Sequence, residues 1–512
     1  MGTLSIINAA VFDGVSDGLG DGPVYVADGR IVSVGGPPQP ADQVLDAHGG
    51  TVLPGLIDAH CHAYGISLDM MATESQPLSY VALAAARRLG RALTRGFTTV
   101  RDPAGGDAGL ARAIAEKLIP SPRYLWTGAA LSQTGGHGDA RGPDSETCPC
   151  YAHGCEVVDG VDPLRRAVRE RFRRGAHAIK IMTSGGVMSL ADPIRIPQYS
   201  ADEIRAVTDE AARRGSYVAA HAYSPEAIRH SIDNGVRSIE HGNLLDAQTA
   251  TAMASAGAFL VPTLAAYDAM ERRGEQIGMP AVSRHKNREV LESGQQAIEL
   301  ARAAGVSVGF GTDLMGPLED EQLNGLRLQA EVDGIWTALA SATSVNAELI
   351  GRPDLGQVAE GCTADLLILA GNICDDPSVV WSPGSQRTIV QDGRVITNSK
   401  TASLADARRP AVRCDCGVLG GCHPDPHRTG RGSVDSLGEV HDEPLGSAHR
   451  RHAPDVLVLT DAADQVVAVR GEPVEDRLKV VHLERHVAQP QFVVHRLGRT
   501  WFVVRADEAR QF

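Results

Sequence analysis

The run Thr51 to His62, TVLPGLIDAHCH, is an apolar stretch that ends in Asp58-Ala59-His60-Cys61-His62. Side chains along a strand alternate between faces, so residues two apart point the same way. His60 and His62 therefore present two imidazoles to one point, while Cys61 faces elsewhere. Two neutral imidazoles converging in this way suit a divalent metal ion. Paired histidines also occur on surfaces that bind nothing, so the rest of the chain has to decide.

Further polar residues sit in or at the ends of other strand-like runs: Lys180 in AIKIMTS, His221 in YVAAHA, His241 in SIEHG and Asp313 in SVGFGTD. Each alone has a plain structural reading, as a hydrogen-bonded core histidine, an ion-paired lysine or a helix N-cap aspartate. Six such residues on five strand-like segments are hard to explain that way, because a barrel aims its strand ends at one place.

The elements that position them can be read from the chain. Eight strand candidates fall at 53–62, 98–103, 124–132, 178–184, 217–222, 238–242, 259–263 and 307–313. Helical patterns such as YVALAAARRLGRALTRG and ADEIRAVTDEAARRG lie between them, and several end in glycine. This alternation predicts an α/β protein built on a (β/α)8 TIM-like barrel, with catalytic residues at the C-terminal strand ends. The Gly-rich connections 134–155 and 185–200 are long enough to shape or cover a site.

Residues 1–52 read as short strands with tight turns, and a similar pattern returns over 353–400. Both pieces carry an Asp-Gly-Arg turn, at Asp28-Gly29-Arg30 and at Asp392-Gly393-Arg394. They are expected to pair into a small β-sandwich domain flanking a hydrolase barrel at 53–352. Residues 401–512 form a C-terminal extension, a Gly-, Pro- and His-rich linker followed by a small β unit, for which no role is read.

At 512 residues the chain is too long for one core. A formal charge of −14 argues against nucleic acid as a partner. No apolar run is long enough to span a membrane, and MGTLSIINAAVFDG lacks a signal-peptide pattern, so a cytoplasmic location is expected. The nine cysteines do not form a secreted disulfide framework. Cys148, Cys150, His153 and Cys155 form one cluster, and Cys414, Cys416, Cys422, His423 and His427 another. Neither has the spacing of a structural zinc site, and both are read as free thiols in loops.

The stretches DAHCH, AIKIMTSGGV, VAAHA, SIEHG and GFGTD together resemble the metal site of the amidohydrolase superfamily, in its binuclear form with a carboxylated lysine. The resemblance is to the Xaa-Pro dipeptidase and imidazolonepropionase-like group, including prolidases and ochratoxin-degrading amidases, and covers roughly residues 1–400. It implies that His60, His62 and Asp313 hold one metal ion and His221 and His241 the other, with Lys180 bridging them as a CO2-derived carbamate. Zinc fits the ligand set best, with manganese and cobalt as alternatives.

The resemblance further implies amide hydrolysis by metal-bound hydroxide, with Asp313 as the catalytic proton carrier. Tyr223, two residues after His221, would bind the scissile carbonyl. Arg229, on the next helix, would bind the terminal carboxylate, and His137 in the GGHGD loop is a further substrate contact. The expected substrate is a small dipeptide or N-acyl amino acid with a free carboxylate. Cyclic amide hydrolysis of the imidazolonepropionase, hydantoinase or dihydroorotase type is the alternative. A homo-oligomer is left open.

Overall fold

The computed structural model describes residues 2–141, 153–189 and 192–397, together with five strands between 456 and 505. Cys148, Cys150, Cys414, Cys416, Cys422, His423, His427 and the expected linker over 401–455 lie outside the described residues.

Eight strand positions alternate with helices around a barrel. They are Leu56–Asp58, Phe97–Asp102, a third strand in two pieces (Arg123–Trp126 and Ala130–Ser132), Ile179–Met182, Val218–Ala222, Ser238–His241, Phe259–Val261 and Ser307–Val308. All pairings among them are parallel. The third strand breaks because Gly128 takes a positive φ of 75°. Its first piece then pairs with the second strand and its other piece with the fourth. Closure between the eighth and first positions runs through single hydrogen bonds, Ala59 N to Phe310 O at 3.0 Å and Asp313 N to His60 O at 2.7 Å.

The helices follow from local signals. Ala201–Ala212 opens on a capping box, with Ser200 and Glu203 satisfying each other's backbone N–H. Pro225–Ile232 starts with proline behind a Ser224 cap. Val161–Arg173 buries Leu164, Ala167, Val168 and Arg171, a spacing that fits one helical face. Such faces meet the outward side chains of the strands, for instance Ile179, Val218, Ile239 and Leu260, in one continuous core.

The flanking segments share a sheet. Leu366–Leu369 pairs antiparallel with Thr51–Pro54, and the six-stranded order also takes in Ala10–Val11, Gly20–Asp21, Arg387–Gln391 and Arg394–Thr397. A four-stranded sheet of Arg30–Val34, Val24–Ala27, Leu4–Ile7 and Gln43–Asp46 packs with it, burying Ile6, Val26, Val52 and Leu366. This is the small β-sandwich beside the barrel.

The strands described beyond residue 455 form a unit of their own. Its five described strands run from Val456–Thr460 to Thr500–Arg505 as an antiparallel meander. Among the described residues no helix is long and apolar enough to cross a membrane.

Candidate metal centre and active site

The C-terminal strand ends bring His60, His62 and Asp313 together, with one ligand atom of each within 4.8 Å of the others. His62 Nε2 lies 2.9 Å from Asp313 Oδ1, and His60 Nε2 lies 3.5 Å from the same oxygen. His241 stands beside them, its ring centroid 5.1 Å from that of His60 and 4.5 Å from that of His221. All five, with Lys180, line one cavity.

Backbone strain helps to place them. His241 and Asp313 both adopt left-handed backbone, with φ of 75° and 53°, a region that residues other than glycine rarely occupy. Thr263, at φ 48°, is a third such strand end, and its hydroxyl lies 2.8 Å from His241 Nδ1. The chain therefore departs from strand alternation where these side chains are needed.

Each histidine of the first group is oriented from behind. His62 donates through Nδ1 to the Ala104 carbonyl at 3.0 Å, which leaves Nε2 facing Asp313. His60 Nδ1 lies 2.7 Å from Glu240 Oε2. Arg101 places one amino group 2.7 Å from both Glu240 oxygens, and both side chains are fully buried. Burial pushes the Glu240 carboxyl up, but Arg101 and Lys180 outweigh it and hold it below the usual carboxylate range. An ionised Glu240 can only accept, so the shared proton sits on His60 Nδ1 and the lone pair on Nε2.

Lys180 is buried, and its Nζ has no hydrogen-bond partner. Burial brings its pKa down to about 8, so a neutral amine is accessible near neutral pH. An unpartnered buried amine amid imidazoles and a carboxylate fits the donor chemistry of a divalent-metal site in which this nitrogen carries an added acidic group. Asp313 is partly buried; its withdrawal from solvent alone would raise its pKa, yet His60 and His62 hold it far below the usual range. The residues present fit a metal centre.

Tyr223 is buried in the cavity wall, with its ring stacked 5.1 Å from His241 and its hydroxyl 2.7 Å from that of Tyr267. His137 also lines the cavity. It stacks on His221 at 4.1 Å and engages Ser189 Oγ through Nδ1 at 2.9 Å, so Nε2 is the nitrogen it can offer. A Cβ on Gly186 would fall 2.1 Å from that ring, so only glycine allows this packing.

Arg229 does not line the cavity in this structure. The helix Pro225–Ile232 buries Ala227, Ile228, Ser231 and Ile232, which leaves Arg229 on the opposite, exposed face. There it lies 3.5 Å from Asp233. Of the first cysteine cluster, Cys155 and His153 line the cavity.

Sequence reading missed Glu240, Arg101 and Tyr267. The signal was present: Glu240 in SIEHG and Arg101 in TTVRDP are charged residues inside runs otherwise fit for a barrel interior. What the sequence cannot display is that the two charges meet.

A model of the amidohydrolase family matches residues 51–396. Ochratoxinase of Aspergillus niger is 33% identical over 385 residues, covering 70% of this chain and 78% of the relative. The crystal structure of a prolidase complexed with N-methylphosphonate-L-proline is 41% identical, with a TM-score of 0.75 over 77% of this chain and 100% of the other. That of a Xaa-Pro dipeptidase with methionine in its active site is 29% identical, with a TM-score of 0.69 over 77% and 99%.

Proposed function

The chain belongs to the amidohydrolase family, and from that membership we propose that it hydrolyses the amide bond of dipeptides or N-acyl amino acids bearing a free carboxylate. The observation that carries this reading is the convergence of His60, His62 and Asp313 with His221 and His241 around the buried, unpartnered Nζ of Lys180.

In the proposed centre His60, His62 and Asp313 would hold one divalent ion and His221 and His241 a second, with Lys180, as its carbamate, as a shared ligand. Zinc is the proposed metal. When bound, such ions supply positive charge to a carbonyl oxygen and make water a stronger acid. Asp313, partly buried beside the imidazoles, would accept the proton of the attacking water and deliver it to the departing amine. Tyr223, its hydroxyl pinned by Tyr267, donates a hydrogen bond to the scissile carbonyl oxygen. His137 offers Nε2 to the substrate from the opposite loop. Arg229 reads the carboxylate only by leaving Asp233, and an exposed pair of that kind is worth about 0–1 kcal/mol, little resistance to exchange.

The division into 1–52 with 353–400, a barrel at 53–352 and an extension at 401–512 is proposed on the same footing. A cytoplasmic location is supported by the free thiols of Cys61, Cys155, Cys362 and Cys374.

The test is a screen of dipeptides, N-acyl amino acids and cyclic amides with metal analysis on the same sample. Two product fragments are expected. A single ring-opened product would favour the cyclic amide reading, and inertness of a metal-replete preparation would sink both.

A further inference from the structure

This inference rests on the proposed roles of His241 as a metal ligand and of Tyr223 as the donor to the scissile carbonyl, and it adds the residue that ties the two together. His241 Nδ1 lies 2.8 Å from Thr263 Oγ1 and 2.7 Å from Tyr267 Oη. The nearest oxygen of Asp313 is 3.9 Å from the same nitrogen, beyond hydrogen-bond reach. With Nδ1 engaged by hydroxyls, Nε2 is the nitrogen that His241 can offer to a metal ion. Thr263 and Tyr267 stand four residues apart, at the cap and in the first turn of the helix Leu264–Arg273, and so meet the imidazole from the same side. Thr263 is fully buried and β-branched yet held at φ 48°, a costly conformation for such a residue. Tyr267 is buried as well, and its backbone carbonyl accepts a hydrogen bond from Asn287 Nδ2 at 3.0 Å.

Counting protons gives this network a direction. A neutral imidazole that commits its Nε2 lone pair to a metal ion carries its proton on Nδ1, so Nδ1 can only donate. Whichever hydroxyl takes that proton, Tyr267 cannot donate back to Nδ1. Its other oxygen neighbours are Tyr223 Oη at 2.7 Å and Thr263 Oγ1 at 3.3 Å, and only the first contact has the usual O–H···O length. Tyr267 therefore donates to Tyr223. Each phenol has one proton, so the Tyr223 oxygen accepts and its own proton is left for the cavity that both tyrosines line. The other tautomer of His241 would let the chain run backwards, with Nδ1 accepting from Tyr267 and Tyr267 from Tyr223, and no proton facing the substrate. No proton changes hands in either case; only the direction of donation differs. Donation along such a chain also polarises each hydroxyl in turn, which makes Tyr223 a stronger donor.

We propose that Tyr267 is a positioning residue that carries the hydrogen-bond direction set at His241 to Tyr223, and so aims the Tyr223 hydroxyl proton at the scissile carbonyl oxygen. The test uses the metal-loaded full chain, the dipeptide or N-acyl amino acid that the screen turns over fastest, and its analogue with a tetrahedral methylphosphonyl group in place of the acyl group. Tyr267→Phe removes the hydroxyl and keeps the ring, and Thr263 still holds His241 Nδ1, so metal content should be unchanged. Its kcat should fall about three- to tenfold, the worth of one neutral hydrogen bond, with KM within about twofold. Tyr223→Phe should lose about 100-fold. The double variant should match Tyr223→Phe alone, because Tyr267 acts through that hydroxyl. In calorimetric titration the methylphosphonyl analogue should bind Tyr267→Phe about three- to tenfold more weakly, while the free amino acid product, which lacks the scissile carbonyl, should bind as before. Unchanged kcat in Tyr267→Phe, lost metal in that variant, or losses that multiply in the double variant each overturn the inference and leave amide hydrolysis standing. Unaltered kcat in Tyr223→Phe would instead overturn the carbonyl role of Tyr223 and this inference with it.

Discussion

Glu240 accepts a hydrogen bond from His60 Nδ1 at 2.7 Å, and so the sixth barrel strand sets the tautomer of a side chain carried by the first. Arg101, from the second strand, supplies the counter-charge that keeps Glu240 an acceptor. It also donates through Nε to the carbonyl of Ala59, the residue before His60. One buried ion pair thus fixes both the ring and the backbone of a proposed metal ligand. Partners of this kind orient a ligating imidazole, and their loss typically weakens metal binding 10- to 100-fold.

Glu240→Gln keeps an oxygen for His60 but removes the charge opposite Arg101. It should fold and bind metal about 10- to 100-fold more weakly, measured by competition with a chromophoric chelator. Arg101→Met leaves Glu240 buried without its main partner and should destabilise the protein by about 3–5 kcal/mol in denaturant titration. Unchanged metal affinity in Glu240→Gln would show that the contact has no role in positioning His60.

Lys180→Ala removes the proposed bridge from a position that is 1% exposed. Bound metal and activity should both fall to background, and short carboxylic acids such as acetate or propionate should restore part of each. The cavity left by the side chain lies where the carbamate oxygens are proposed to sit, so an added carboxylate can take their place. Two retained metal ions with full turnover would rule the bridge out.

Much of the scaffold was legible in the sequence because its signals are local. Apolar runs marked the strand positions, and helical patterns ending in glycine marked the segments between them. The six polar strand-end residues were legible because their types are rare inside such runs. What was not legible depends on contacts between distant residues or on local exceptions to a rule. Arg101 and Glu240 are 139 residues apart, and nothing near either names the other. Strand alternation does not reach His241 or Asp313, because both leave the extended region for left-handed backbone. Arg229 was placed by its distance from Tyr223 along the chain, but which face of a helix meets the barrel is decided by Ala227, Ile228, Ser231 and Ile232.

Deleting residues 401–512 should leave hydrolysis largely intact. All described residues that line the cavity fall between His60 and Leu318, and the sandwich sheets are completed by Arg394–Thr397. Steady-state kinetics on a soluble, metal-loaded truncation decides it: a kcat within about threefold of the full chain is expected, and collapse of kcat would give the extension a part in the site.

Arg229→Met is the sharpest test of substrate recognition, because the structure and the proposed role place the same side chain differently. In the absence of substrate Arg229 is exposed and lies 3.5 Å from Asp233, so its removal should change stability by no more than about 0–1 kcal/mol. Methionine keeps the unbranched stem, so fold and metal content should be retained. If the guanidinium turns inward on binding, it makes a charge-assisted, bidentate contact with the substrate carboxylate. Losing that contact should lower kcat/KM by about 30- to 150-fold, roughly 2–3 kcal/mol. The loss should shrink for substrates whose carboxylate is amidated, since they never make the contact. Matched acid and amide substrates therefore separate the cases: a loss confined to the acid shows that Arg229 leaves Asp233 to read it. Equal kinetics for the variant and the unaltered protein on both substrates would show that the exposed pairing persists through turnover, and that the carboxylate is read from within the cavity.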